Sequence, residues 1–489
     1  MAKKPKRGNT ALIVILTLLI VACIAATAFV VWLCIDMVNS PAETTTVTSQ
    51  SQPIATTTPE EEETVPPTTT EPPEPEHVIA TATISTQGDL LMHKPVFDTC
   101  RQSDGSYDFE SLFRYVKDTV SSFDYSLANL ETTFGGDNYK YQGNPEFNCP
   151  DPLIDSIVDT GYDMLLTANN HAADTTGAGI TRTVEVVRGA GLEALGTQLS
   201  DDEPKYSVVD INGIQVGMVC YTYGYSVSGD GSKFSLNGLA QIPDVGQVNF
   251  FMNNNPDKLY NRAQQHYDDM IAQGAEATIM FIHWGVEYQT TENALQNKIA
   301  QKLCDIGYDV IVGGHPHVVQ PMELITSTVD PDHKTVCIYS LGNAVSNQRT
   351  GISSLFPAGY TEDGVLFSVT FEKYSDGTVY LADTDVIPTW VNMHSNHGKK
   401  EYNILPLEIE KEDLWKETFE MTDHNFSSCQ KSYARTMGIV GEGLEACRAW
   451  LEQQKLDREE YYYNLAFFPE LLEAQATEPV PTETFANAA

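Results

Sequence analysis

Basic side chains are scarce in this sequence. Its 489 residues include 29 lysines and arginines against 67 aspartates and glutamates, which gives a formal net charge of -38. Proteins that bind nucleic acids cluster Lys and Arg to neutralise phosphates and release counterions. The shortage of basic residues therefore argues against nucleic acid as a partner.

Paired cysteine motifs are also lacking, because no two of the nine cysteines form a CxxC pair. Cysteine is accordingly disfavoured as a metal ligand. Cys23 and Cys34 lie in an apolar N-terminal run, and an odd number of cysteines remains in the body. A disulfide scaffold is not expected in a chain of this size, but one or two isolated bridges remain open.

Large apolar residues and positive charges are both nearly missing from residues 42–77, which are rich in Thr, Pro and Glu. Such a segment cannot bury enough surface to offset the entropy of ordering. Dense proline and repulsion between glutamates also keep a chain extended. We predict a disordered linker at residues 39–77.

An uncharged apolar run covers residues 11–35 and follows four basic residues, Lys3, Lys4, Lys6 and Arg7. A run of about 20 apolar residues can cross the ~30 Å hydrocarbon core. The positive-inside rule places the basic end in the cytoplasm. We predict a cytoplasmic N-terminus at residues 1–10, a transmembrane helix at residues 11–38 and an extracellular main domain, as in a single-pass protein of the cell membrane.

Two alternatives fit this run less well. A cleaved signal peptide has an apolar region of roughly 7–15 residues and a small-residue exit, whereas this run is longer and ends at Asp36. The sequence from Ile20 to Cys23 resembles a lipoprotein cleavage box, but apolar residues continue well past Cys23. We therefore adopt the uncleaved anchor.

Strand and helix patterns alternate from residue 78 onwards, and no internal repeat is present. Asn212-Gly213 lies between two β-rich runs and is typical of a type I′ hairpin. Alternating βα units followed by hairpins predict an α/β fold in which sheets are flanked by helices. We predict a main domain at residues 78–395, a helical C-terminal region at 396–475 with a helix at 440–454, and a disordered tail at 476–489.

Polar clusters follow five of the predicted strands. They are Gly88-Asp89, Asn129-Leu130-Glu131, Asn169-Asn170-His171 with Asp174, His283-Trp284-Gly285 with Glu287, and Gly314-His315-Pro316-His317. Each alone is more typical of a cap, a turn or a satisfied histidine. Together they offer imidazole, carboxylate and amide oxygen ligands at strand ends, which suit Zn, Mn or Fe(II). A dinuclear hydrolytic centre needs about six to eight such groups, so the clusters predict a divalent-metal site.

His315-Pro316-His317 is the sharpest of these clusters. Alternate residues of an extended segment share a face, and the proline keeps the residue before it extended. We therefore expect both imidazole rings to point to one side. Gly313 and Gly314 leave room for a close approach of the backbone to a metal or an oxyanion.

The motifs GDLLMH, ANLE, LLTANNHAADTTGAG, IHWGVEY, GGHPHVVQP and YSLGN follow one another over residues 78–387. Together they resemble the CapA family of poly-γ-glutamate capsule synthesis proteins, which is similar to calcineurin-like metallophosphoesterases. The resemblance implies a metallophosphatase-like, layered α/β/β/α sandwich, preceded here by the transmembrane helix and followed by C-terminal helices.

The resemblance also implies a role for each motif residue. The metal ligands would be Asp89, Glu131, Asn170, His283, His315 and His317. His171 would be the general acid, and Asp174 would orient its ring. The residues that would support the ligands or contact the substrate are Asn169, Glu287, His93 and Lys94.

Two departures from the phosphoesterase pattern leave the number of metal ions open at one or two. Phosphoesterases have a histidine two residues after the first aspartate, where this chain has Leu91. Their second motif contains Gly-Asp in place of Asn129-Leu130-Glu131.

Three functions fit these residues. The first is an enzyme that cleaves or transfers at a phosphoester or amide bond of a cell-envelope substrate. The second is an accessory protein for the assembly, export or anchoring of an anionic surface polymer, working with a capsule synthesis complex. The third is a binding module with an inactive site. The resemblance favours a role with poly-γ-glutamate.

The negative charge of the chain restricts how such a polymer could bind. A polyanion is repelled by a protein at net charge -38, so binding needs a local cationic pocket or bound divalent ions. The basic residues near the motifs in sequence are Lys94, Arg101, Lys140 and Arg349, and these are the candidates for such a pocket.

Overall fold

A computed structural model describes residues 76–228, 233–238, 241–242, 245–356, 358–396 and 398–467. The predicted N-terminus, transmembrane helix and tail lie outside the described residues, as does the linker up to residue 75. Within the described ranges, no helix has the length and apolar character needed to cross a bilayer. The membrane anchor therefore stays a prediction.

The first sheet has eight strands among the described residues. They are β1 (Val78–Leu90), β2 (Tyr125–Asn129), β3 (Met164–Leu166), β4 (Glu193–Leu195), β14 (Asn343–Val345), β15 (Asp363–Tyr374), β16 (Val379–Asn396) and β17 (Lys399–Pro406). The order is β17-β16-β15-β1-β2-β3-β4, and β14 pairs with β1. Strands β1 to β4 are parallel, whereas β15 to β17 add antiparallel hairpins at one side.

The second sheet has nine strands among the described residues. They are β5 (Tyr206–Ile211), β6 (Ile214–Ser226), β7 (Phe234–Ser235), β8 (Gln241–Ile242), β9 (Phe250–Met252), β10 (Ala277–His283), β11 (Val310–Gly314), β12 (Val319–Thr326) and β13 (Lys334–Leu341). The order is β12-β13-β11-β10-β6-β7-β8, with β5 and β9 also paired to β6. All seven residues of β10 are buried, as expected for a parallel strand covered on both faces.

The helices are α1 (Lys94–Thr99), α2 (Glu110–Phe113), α3 (Lys117–Val120), α4 (Leu153–Thr160), α5 (Thr176–Gly189), α6 (Asp257–Ala272), α7 (Ala294–Ile306), α8 (Glu412–Thr418) and α9 (Asp423–Phe467). Short 3-10 turns occupy Val245–Gln247, Tyr360–Glu362 and Ile409–Lys411. The mixed α/β class predicted from the sequence is confirmed.

Three hydrophobic clusters define the layers. One cluster joins side chains of both sheets, such as Ile84 of β1 and Phe281 of β10. A second joins the first sheet to α1 to α5, and a third joins the second sheet to α6 and α7. The layer order is therefore helix, sheet, sheet, helix, because each sheet buries one face on the other sheet and the opposite face on helices.

The hairpin predicted at Asn212-Gly213 is confirmed. Its two central residues have φ angles of 54° and 89°, which a type I′ turn requires and which Asn and Gly tolerate best. The turn joins β5 to β6, and Ile211 pairs with Ile214 across it.

The parallel strands position the candidate site residues. Asp89 lies at the end of β1, and Glu131 follows β2. His283 is the last residue of β10, and His315 follows the last residue of β11. Because both sheets bring the carboxyl ends of their parallel strands to one edge, residues that are far apart in sequence meet there.

The C-terminal part begins differently from the prediction. A helical region is expected from residue 396, but residues 399–406 form strand β17. This strand pairs with β16, so the first sheet continues past the predicted end of the main domain at residue 395. The helix predicted at 440–454 is part of α9, which has 45 residues. This helix packs on β12 of the second sheet and β16 of the first, where a Cβ on Gly443 would collide with the Met322 carbonyl oxygen.

Candidate metal centre

Asp89 is fully buried at the centre of the polar cluster. Its Oδ1 accepts a hydrogen bond of 2.7 Å from the Asn129 amide, and its Oδ2 lies 3.0 Å from His317 Nδ1. Burial alone would raise the pKa of Asp89, but the bond to His317 and its charge lower it below the usual value. The carboxylate is therefore held ionised, with both oxygens in fixed positions.

Glu131 lies between the other ligand candidates. Its Oε1 is 3.5 Å from His283 Nε2 and 3.9 Å from His317 Nε2. Burial and the charge of Asp89 raise the pKa of Glu131 well above its usual value. The ligand oxygens of Asp89 and Glu131 lie within 4.8 Å of each other. Two buried carboxylates at this distance repel one another, so the ionised pair requires positive charge beside it.

His315 and His317 reach the site by a backbone that differs from the prediction. Both residues have positive φ, of 100° and 56°, so the expectation of an extended segment is wrong. The ring centroids are 6.0 Å apart and inclined by 54°, and both rings enter the cluster from a turn. A non-glycine residue with positive φ is uncommon, and such strain is concentrated at functional sites.

The protonation of the three histidines is set by burial and by the carboxylates. Burial lowers the pKa of His283 to about 3. Burial, with His283 and His317 nearby, lowers the pKa of His315 well below its usual value. Burial would also lower the pKa of His317, but Glu131 and Asp89 raise it to about 9. His283 and His315 are therefore neutral, the form in which a histidine binds a metal.

Two groups of side chains could each hold an ion. Glu131, His283 and His315 offer ligand atoms that all lie within 4.8 Å of one another, and so do Asp89, Glu131 and His317. Glu131 belongs to both groups. Asn170 joins the first group, because its Oδ1 is 2.8 Å from His283 Nε2.

The donor atoms fit a divalent cation. Within the described part of the chain, Glu131 Oε1 and His315 Nδ1 are buried and have no hydrogen-bond partner. A buried polar atom without a partner costs about 1–3 kcal/mol, and an ion between these groups would satisfy both. Carboxylate with imidazole suits Zn, Mn or Fe(II).

His171 lies beside this cluster and outside both groups. Its Nδ1 is 2.7 Å from Asp174 Oδ2, the pairing expected from the sequence. The Phe147 backbone N–H and the Asn237 side chain also donate to the Asp174 carboxylate, at 2.6 Å and 2.5 Å. Asp174 is thereby fixed, and it fixes the orientation of the His171 ring.

The other predicted contacts differ in their closeness to the centre. Asn169 donates to Asn129 Oδ1 and the Leu130 carbonyl oxygen, at 3.1 Å and 2.8 Å, and holds the loop that carries Glu131. Glu287 is exposed. Its negative charge raises the pKa of His283, against the larger effect of burial, which lowers it. These two residues flank the cluster.

His93 and Lys94 are placed further out. His93 Nδ1 is 3.2 Å from the Leu91 carbonyl oxygen, and its ring packs on Phe147 with centroids 5.1 Å apart. Lys94 binds Asp98 of its own helix at 2.6 Å, and its side chain is 51% exposed. The structure brings neither residue into the two ligand groups.

Two residues support the ligands although the sequence predicts no role for them. Asn129 donates to both Asp89 and Glu131, at 2.7 Å and 3.3 Å. Asn343 pairs with Asp89 in the first sheet and donates to the His317 carbonyl oxygen at 3.1 Å. Asn129 occurs in the motif ANLE and Asn343 in the motif YSLGN, so the sequence marks both residues. Only the fold shows which ligands they contact.

The cysteines of the described residues lie outside both ligand groups. All seven cysteines in the described residues are buried free thiols. The isolated bridges left open by the sequence are therefore not formed among them.

Residues 83–348 match the family model of the bacterial capsule synthesis protein PGA_cap. The PGA biosynthesis protein CapA of Bacillus subtilis (strain 168) is 30% identical over 292 residues, 58% of this chain and 69% of that protein. The capsule biosynthesis protein CapA of Bacillus anthracis is 25% identical over 311 residues, 63% of this chain and 66% of that protein. Both ligand groups lie inside the matched region.

Proposed function

Because this chain belongs to the bacterial capsule synthesis protein family PGA_cap, we propose that it acts in the synthesis, export or anchoring of an anionic capsule polymer such as poly-γ-glutamate. It does so through a buried divalent-metal centre. The helix, sheet, sheet, helix order supports a metallophosphatase-like sandwich as the scaffold for that centre.

One observation carries the proposal, namely that two groups of buried ligands share Glu131. Asp89, His283, His315 and His317 would complete the coordination, with Asn170 at one side. A bound Zn, Mn or Fe(II) ion would supply the positive charge that attracts and polarises a carboxylate or phosphate oxygen. Asn129 and Asn343 would keep the ligands in place for it.

The charge of the chain explains why a metal suits this partner. At net -38 the protein repels a polyanion over most of its surface. Divalent ions in the buried centre would reverse the sign of the potential at that point. The polymer would then be bound at the metal centre and repelled by the rest of the surface. The attraction favours capture of the polymer, and the repulsion favours its release.

Loss of the chain is the direct test of this role. In a strain lacking the protein, we expect the amount of polymer on the cell surface to fall, measured as glutamate released by hydrolysis of washed cells. The purified full-length protein should contain about one or two equivalents of a divalent transition metal by elemental analysis. Unchanged surface polymer in the deletion strain would refute the proposed function.

A surface location is part of the proposal and has its own test. A protease added to intact cells should release the region after residue 38, because the basic, apolar and acidic segments follow one another in the order of a single-pass anchor. The released fragment is identified by mass spectrometry, and a cytoplasmic protein serves as the control for lysis. Full protection of the chain in intact cells would contradict the predicted topology.

A second candidate function rests on His171. A histidine oriented by a buried carboxylate beside a metal-ligand cluster is the arrangement of a general acid. It favours hydrolysis or transfer at a phosphoester or amide bond, with His171 giving a proton to the leaving group. Asp174 accepts the Nδ1–H hydrogen bond, so the proton that His171 gives to the leaving group would be a second one, carried on Nε2.

A further inference from the structure

A cavity lies between the loop after β14 and the N-terminal turns of α9. Its volume is about 620 Å³, which is within the range of small-molecule sites. Its lining includes the cationic side chains Arg349, Lys431 and Arg435, with His424 at the helix start. The lining also includes one carboxylate, that of Glu362, so basic side chains outnumber acidic ones here, in a chain with 29 basic residues and 67 acidic ones.

The two arginines of this cavity are held in fixed positions. Arg349 donates to the Val391 carbonyl oxygen at 2.7 Å and to Glu362 at 2.8 Å. Arg435 binds both oxygens of Asp363, at 2.8 Å and 2.7 Å. These carboxylates offset part of the positive charge, but each guanidinium has five N–H donors and keeps some of them for a ligand.

Lys431 adds a charge that no carboxylate offsets. It is exposed and has no ion pair within the described part of the chain. His424, Asn425 and Ser428 come from the first turns of the same helix, where the helix dipole favours an anion. The cavity therefore combines fixed donors with one exposed positive charge.

The cavity is connected to the metal centre by a short piece of chain. Asn343 pairs with Asp89, and Arg349 follows it by six residues, which span at most about 22 Å when fully extended. Between them, Gln348 accepts from the Asn343 amide at 3.1 Å and donates to the Tyr288 hydroxyl at 3.3 Å. Tyr288 in turn lies beside His317, with ring centroids 6.2 Å apart.

We propose that this cavity is a second binding site for the carboxylates of the same anionic polymer, next to the metal centre. The inference rests on the proposed function for its choice of polymer. A polymer carries a carboxylate on every unit, so it can contact the metal centre and the cavity together. Two linked contacts raise the affinity above that of either site alone. Of the four basic residues singled out in the sequence, Arg349 lies in this cavity.

The test is a binding measurement with the full-length protein and fluorescent poly-γ-glutamate. Lys431→Glu should weaken binding about tenfold, and the weakening should shrink as salt screens the charge. Lys298→Glu is the matched control, because Lys298 is an exposed lysine on α7 and gives the same change in charge. It should change the affinity less than about twofold.

Each result has a clear meaning. Equal affinities of the two variants would overturn the second site, whereas the proposed function fails separately, if the deletion strain keeps its polymer. Metal content should stay unchanged in both variants, since neither residue lies among the metal ligands. If polyphosphate of equal length competes better than unlabelled poly-γ-glutamate, the assignment to carboxylates is wrong.

Discussion

Replacing His315 by alanine is expected to remove most of the bound metal from the purified protein and to abolish its support of surface polymer. The substitution deletes a ligand from the group that contains Glu131 and His283. Substitution of a residue that only supports a ligand typically lowers metal affinity 10–100-fold. The loss of a ligand itself should therefore lower the affinity at least ~10²-fold. Elemental analysis and complementation of the deletion strain measure the two effects.

His266→Ala is the matched control for this variant. His266 is buried too and lies against the Tyr221 hydroxyl at 2.9 Å, but it packs between α6 and the second sheet, away from both ligand groups. This variant should lose stability and keep its metal. A His315→Ala protein with full metal content and full complementation would show that the centre does not work as proposed.

Replacing His171 by asparagine separates the two candidate functions. If the centre catalyses hydrolysis, His171→Asn should retain metal while turnover falls by ~10²–10⁴, because a general acid acts only in the transition state. If the protein only binds and guides the polymer, the same variant should display normal amounts of polymer. The measurements are metal content, turnover on phosphodiesters and on γ-glutamyl polymer, and surface glutamate.

The control for this second prediction is His93→Asn. His93 packs on Phe147, as His171 does, but it is not paired with Asp174. A fall in turnover shared equally by both variants would point to disturbed packing around Phe147 and would count against His171 as the acid.

Elements with strong local signals are predicted within a few residues: the sequence predicts helices near 153–160 and at 294–305, and the structure has α4 at Leu153–Thr160 and α7 at Ala294–Ile306. Helix α4 ends at Gly161, which has φ 97°, and α7 begins with a capping box formed by Asn293 and Gln296. Strands β12, β14 and β17 are not predicted from the sequence. Strand β14 has three residues and pairs with the distant β1, whereas β12 and β17 form hairpins with their neighbours β13 and β16. Helix α9 is longer than the predicted helix at 440–454, and its packing on β12 and β16 stabilises it although Gly438, Gly441 and Gly443 disfavour a helix locally.

The candidate site was predictable in its residues and less so in its geometry. Parallel strands bring their ends together, so Asp89, Glu131 and His283 could be expected to meet. The turn at His315 and His317 could not, because its positive φ angles depend on contacts such as that of Asn343 with the His317 carbonyl oxygen. The cavity at Lys431 and Arg435 was also out of reach, since it needs α9 to return to the loop after β14.

The ligands come from different sheets, and this has a consequence for folding. Asp89 and Glu131 lie at or just after the ends of strands of the first sheet, whereas His283, His315 and His317 lie at or just after the ends of strands of the second. Asp89 and His317 are 228 residues apart in sequence. The complete centre can form only after the two sheets have docked, so the ion binds the native state and not its separated halves. Metal at 100 times its dissociation constant would then stabilise that state by about 2.7 kcal/mol. Metal supply would thereby set how much of the chain persists in folded form, in addition to any chemistry at the site.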